Sequence, residues 1–205
     1  MAEWKRAGTA RNEFADMIEG LTPEQLEQQS LCDAWTARGV LCHVTSFVET
    51  GAFGMIGGML KSRFDFDKMS QAMADKQLAR PVDEVIATLR SKATKSAPMP
   101  MFPEEMTTAD LVIHAQDVRR PLGLAGGPTD EAVRATLDFI TSHKMGKTLI
   151  ADRPPLEGVA LSATDMDWSF GEGAEITGPA ESLMMALARR PVLDELSGLG
   201  VDRWR

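Results

Sequence analysis

The chain holds three histidines, and two of them have neighbours that could make them ligands. Asp110 and His114 are four residues apart. On a helix that spacing separates side chains by about 40°, so a carboxylate and an imidazole project from one face and can chelate a single divalent ion. His43 belongs to an earlier helical segment. Three donors from two helices, with positions left open for water or substrate, is the layout of a catalytic metal site built inside a bundle. Spacing by itself is a weak signal, because Asp-x-x-x-His also arises as a surface ion pair and a lone histidine also serves as a core residue. Asp117 follows His114 by three and Asp110 by seven, on the same face. Two readings, which do not exclude each other, are that it orients a ligand from behind and that it is a buried carboxylate pairing with Arg119 or another cation.

The elements that must position these groups read as helices. Trp4, Ala7, Phe14, Met17 and Ile18 share a face over residues 4–20. Thr22 is an N-cap with Pro23 at N1, opening a short helix to about Gln29. Thr36 caps a longer helix carrying Val40, Leu41, His43, Val44, Phe47 and Val48, which Gly51, Gly54, Gly57 and Gly58 weaken further on. Helices are expected over 67–79 and again from Pro81, which carries Val82, Val85, Ile86 and Leu89. The three prolines Pro98, Pro100 and Pro103 make 96–103 a loop. Thr107 or Thr108 is expected to cap the helix bearing Asp110 and His114. That helix should run to Arg120 before Pro121, with Arg119 and Arg120 at its negative end. Thr129 caps one more helix, to about Lys144. Short β-like runs at 156–163 and 174–177 follow, separated by Asp167 to Gly171. A helix over 179–189 and a shorter one from Pro191 close the chain. The expected domains are a helical bundle over 1–150 and a small α/β domain over 151–205.

Composition narrows the function classes. The 205 residues are 43% hydrophobic and carry a formal net charge of −8. That balance argues against binding to nucleic acid or anionic lipid, which needs clustered Lys and Arg. No run of apolar residues is long enough to span a membrane, and no signal-peptide pattern opens the chain, so a soluble cytoplasmic protein acting on a small molecule is expected. The sequence leaves the oligomeric state, a homodimer included, open. Tyrosine is absent, which removes one common general acid. Thirteen methionines indicate an adaptable core before they indicate a pliable pocket wall. Two cysteines, Cys32 and Cys42, do not make a disulfide framework. Cys42 adjoins His43 but points about 100° away on a helix. Cys32 precedes a helix start, where a thiolate would be favoured, though a structural role is the simpler reading. Trp35 is expected to anchor the helix start by packing, with a pocket wall as the second reading. His143 falls in a last helical turn, where a cationic ring suits the dipole. The glycines from Gly51 to Gly58 lack the strand and the lysine of a phosphate-binding loop.

Residues 30–44, with Leu31, Cys32, Trp35, Thr36, Val40, Leu41 and His43 in order, resemble the first signature of the mycothiol-dependent maleylpyruvate isomerase family, among the DinB-like/YfiT-like metalloenzymes. Residues 109–123, with Asp110, His114, Asp117 and Arg120-Pro121-Leu122-Gly123, are similar to its second. Residues 161–168, Thr177-Gly178-Pro179-Ala180 and Leu187-Ala188-Arg189-Arg190 are similar to its C-terminal domain. The resemblance implies a mainly α fold, a DinB-like four-helix bundle with a small C-terminal α/β domain. It implies a divalent metal, zinc by family habit, held by His43, Asp110 and His114. The isomerase has Glu where this chain has Asp110, and that shorter side chain bears on ligand distance and metal identity. The isomerase also uses an arginine between the two signatures, for which Arg63, Arg80 and Arg90 are candidates without a deciding motif. The expected function is a metal-dependent enzyme that uses a low-molecular-weight thiol such as mycothiol for isomerisation or thiol transfer. Metal-water hydrolysis, with Asp117 as base, and a non-catalytic small-molecule or metal-binding module are the alternatives.

Overall fold

A computed structural model describes residues 4–95, 102–150 and 153–205. The chain is mainly helical with a small sheet near its end. It divides into two compact units, Met1–Ala125 and Gly126–Arg205.

In the first unit, α1 (Lys5–Glu19) is followed by the short α2 (Pro23–Leu26). Thr22 and Gln25 cap α2 reciprocally: the Thr22 hydroxyl accepts from the Gln25 backbone N–H, and the Gln25 side chain accepts from the Thr22 N–H. This capping box satisfies two donors a helix start otherwise leaves unpaired. Thr36 caps α3 (Ala37–Glu49) by accepting from the Gly39 N–H. The expected long helix breaks after Glu49, where Thr50 and Gly51 are extended and α4 (Ala52–Lys61) begins. Asp65 caps α5 (Phe66–Leu78), Pro81 opens α6 (Val82–Ser91), and α7 spans Glu104–Arg119. The start of α7 lies before the expected Thr107 or Thr108. Pro103 with its restricted φ precedes Glu104 and Glu105, whose charges suit the positive helix end. Thr108 instead donates back to the Glu104 carbonyl. Pro98 and Pro100 of the expected loop lie outside the described residues.

Helices α1, α3, α6 and α7 supply one core. Phe14, Ile18, Val40, Leu41, Val44, Leu89, Leu111 and Val118 are all buried in it. Each such side chain contributes about 1.5–3 kcal/mol on leaving water. Helices α4 and α5 lie outside these four and close a smaller cluster of Met55, Met69 and Met73 with Phe47 and Met59.

The second unit takes α8 (Asp130–Ser142), which the sequence suggested as part of the bundle. Its apolar face (Val133, Leu137, Ile140) is buried and it packs on α10 (Ala180–Leu187), so Gly126-Gly127-Pro128 is where the chain changes units. A single turn, α9 (Gly146–Leu149), follows. The sheet has β1 (Val159–Ala163) at its centre, antiparallel to β2 (Ser169–Gly171) and parallel to β3 (Ala174–Gly178). Sequence patterning passed over β2 because its three residues carry too short a pattern to read. Gly173, at φ +135, brings the β2–β3 turn against the Gly158 carbonyl, where a Cβ would clash. Short 3-10 turns at Leu193–Glu195 and Val201–Arg203 end the chain. Among the described residues no helix is long and apolar enough to cross a membrane.

Candidate metal centre

The loop before α3 is held by its own backbone and by Ser30 and Gln29, whose side chains both reach the Trp35 carbonyl. Trp35 can then lie against the first turn of α3 because residue 39 is glycine. A Cβ there would sit 2.8 Å from the Trp35 Cβ. Two turns past the Thr36 cap, His43 falls where α3 is enclosed on nearly every side, and only 5% of it is exposed. The Leu31 N–H donates to the Asp117 carbonyl at 2.9 Å, which ties this loop to α7.

On α7 the spacing acts as helical geometry requires. The Asp110 and His114 side chains approach, with Oδ1 3.6 Å from Nε2. His43, Asp110 and His114 each offer one ligand atom, and all three atoms lie within 4.8 Å of one another. A tetrahedral ion about 2.1 Å from each donor would place donor atoms about 3.4 Å apart, so small side-chain adjustments suffice. The imidazoles meet edge to face, centroids 4.9 Å apart and planes at 74°.

Each imidazole is held from behind at Nδ1. Asp117, fully buried, approaches His114 Nδ1 to 2.8 Å. Where that carboxylate is ionised it can only accept, so Nδ1–H is the donor and Nε2 is the nitrogen left facing Asp110. Ser70 Oγ of α5 lies 2.9 Å from His43 Nδ1. The donor set of two imidazoles and one carboxylate, with oriented rings, fits a divalent ion of the zinc kind.

Trp35 contributes both to the helix start and to this centre. Its ring stacks on His43 at 4.1 Å and meets His114 edge-on at 6.0 Å, and its Nε1–H donates to Gln71 Oε1. Phe47 meets the His43 ring edge-on at 5.1 Å and neighbours Phe66. Cys42 stands beside His43 in sequence, but burial pushes its thiol up to about 11, so it is no thiolate at neutral pH.

Other expected participants are elsewhere. Arg80 is engaged by Glu49, Gln77 and Thr88, and Arg90 pairs with Asp16 and Glu19 on the surface. Arg63 lies in the turn after α4 with φ +54. His143 is the C-cap residue of α8 rather than part of its last turn. Its Nδ1 accepts the Met145 N–H and its ring stacks on Phe139. The buried arginine that spacing did not single out is Arg11 of α1. It donates to the Ala93 and Lys95 carbonyls, both at 2.6 Å. Burial lowers its pKa to about 10, and attraction to Asp110 and Glu104 opposes that fall. Ser70 and Gln71 were also not legible, since a serine and a glutamine on an unremarkable helix carry no spacing signal.

Residues 7–99, which include His43, match the family model of the mycothiol maleylpyruvate isomerase N-terminal domain. The fold is similar to the crystal structure of the mycothiol-dependent maleylpyruvate isomerase, with a TM-score of 0.56 at 14% identity over 96% of this chain and 91% of that one. No curated protein matches the chain. The chain is thus similar to the mycothiol maleylpyruvate isomerase family in the sequence of residues 7–99, and to the isomerase in fold.

Proposed function

We propose that this chain is a divalent-metal-dependent enzyme that uses a low-molecular-weight thiol, of the mycothiol kind, to isomerise or transfer the thiol to a small molecule. The observation that carries the reading is the convergence of His43, Asp110 and His114 with both Nδ1 atoms engaged from behind. A divalent ion held by these three residues supplies Lewis acidity that lowers a thiol's pKa and presents a nucleophile at neutral pH. Asp117 keeps His114 in one tautomer. Asp110 contributes the negative charge of the donor set and stands partly exposed, with 32% of its side chain accessible. Trp35 and Phe47 shield the His43 ring from water. The likeness in fold to an isomerase that depends on mycothiol supports the thiol over water as nucleophile. So does Asp117: the base that hydrolysis would need is fully buried and turned to His114.

Protein purified without chelator should contain about one divalent ion per chain, and His43→Ala and His114→Ala should each lose it. A low-molecular-weight thiol should raise the Tm of the loaded protein and leave the apo protein unmoved, because only the loaded form offers a thiolate a ligand position. Stoichiometric metal in both variants would defeat the site. Equal thiol shifts in both forms would favour a non-catalytic binding module.

A further inference from the structure

The two imidazoles of the centre are supported by different helices and different chemistry. His114 takes its support from its own helix, three residues on, and from a carboxylate. His43 takes its support from α5, twenty-seven residues away, and from a hydroxyl. Ser70 is 3% exposed and His43 is 5% exposed, so this hydrogen bond is made where water does not compete. Ser70 belongs to the face of α5 that packs on α3, with Met69, Met73, Ala74 and Gln77. Seven residues on from Ser70, Gln77 donates to Glu49 of α3 at 2.6 Å. Glu49 lies six residues on from His43. The two polar contacts therefore act as rungs, and sliding α5 by one turn along α3 would break both. Gln71, next to Ser70, holds the Trp35 indole that stacks on His43.

We propose that Ser70 is a positioning residue: its hydroxyl accepts from His43 Nδ1–H and so fixes Nε2 as the nitrogen offered to the ion. The inference rests on the metal reading above and adds a donor-orienting residue to it. The polarity follows from the alternatives. A hydroxyl donating to Nδ1 would put the proton on Nε2 and remove a ligand from the set. Losing a group of this kind from behind a metal-bound histidine typically weakens the metal by about 10–100-fold.

The experiment compares the parent, Ser70→Ala and Ser70→Thr by two readouts. Zinc affinity is measured by competition with a chelating indicator, and the His43 tautomer is read from long-range proton–nitrogen NMR spectra of the apo proteins at one neutral pH. The parent should show Nδ1–H at His43, Ser70→Ala should lose that preference and bind zinc about 10-fold or more weakly, and Ser70→Thr, which keeps a hydroxyl, should recover both. Apo thermal unfolding of Ser70→Ala near that of the parent would show that the fold is intact. Parental zinc affinity in Ser70→Ala would overturn the role of Ser70 and leave the metal centre standing. If the parent itself binds no zinc, the metal reading fails, and the spectra alone decide Ser70: an unchanged His43 tautomer in Ser70→Ala would overturn the proposal.

Discussion

At the scale of the residue, Asp110 and Asp117 show how two carboxylates on one helix face take different work. Asp117 has no exposed surface and is turned to His114 Nδ1, whereas Asp110 keeps 32% of its side chain accessible and stands 3.6 Å from His114 Nε2. That separation is close to the donor spacing of a tetrahedral ion, so aspartate reaches without the extra methylene that glutamate would add, about 1.5 Å. Asp110→Asn should retain the shape, lose the charge and bind metal more weakly than the parent. Asp117→Asn should cost about 10-fold or more in affinity by loosening His114. The paired measurement is metal affinity in both variants. A loaded structure with the Asp110 carboxylate more than about 4 Å from the ion would remove it from the donor set.

At the scale of the element, the start of α3 depends on a glycine. Residue 39 faces Trp35 so closely that a methyl group would meet the Trp35 Cβ at 2.8 Å, a contact that neither atom can leave by rotating a flexible end. Gly39→Ala should therefore destabilise the protein by about 1–3 kcal/mol despite alanine's better helix propensity. It should also shift Trp35 off the His43 ring. Denaturant unfolding gives the first quantity, and tryptophan fluorescence quenching in the native state reports the second. An unchanged or raised stability would mean the loop at Trp35 yields more easily than its hydrogen bonds to Ser30 and Gln29 suggest.

At the scale of the whole molecule, the chain divides into two compact units after Ala125. The three candidate donors, Asp117, Ser70 and Trp35 lie in the first unit, and its core from α1, α3, α6 and α7, against which Trp35 packs, is apolar and includes none of the candidate donors. Zinc fingers lack such a core and unfold without their ion. Here, chelator-treated protein should keep its far-UV circular dichroism and unfold cooperatively, with only a modest fall in Tm from the loss of ligand binding. Loss of helical signal on chelation would show that the ion is part of the core's stability.

The sequence by itself determined the helical character and most caps, and it singled out Asp110 and His114 as candidate donors on one helix face. These are local properties: Thr22, Thr36 and Thr129 cap through backbone groups two or three residues away, and Asp110 meets His114 because a helix repeats every 3.6 residues. The resemblance of residues 30–44 added His43, which no spacing links to the other two. Only the tertiary structure decided what stands behind and beside the donors. Ser70 and Gln71 reach His43 and Trp35 from a helix whose own sequence pattern says only that one face is buried. Arg11 meets carbonyls more than eighty residues away. The transfer of α8 to the second unit is of the same kind, since an amphipathic helix announces that it has a partner but not which one. Contacts between elements distant in the chain depend on which faces pack together, and that choice is made by the core as a whole.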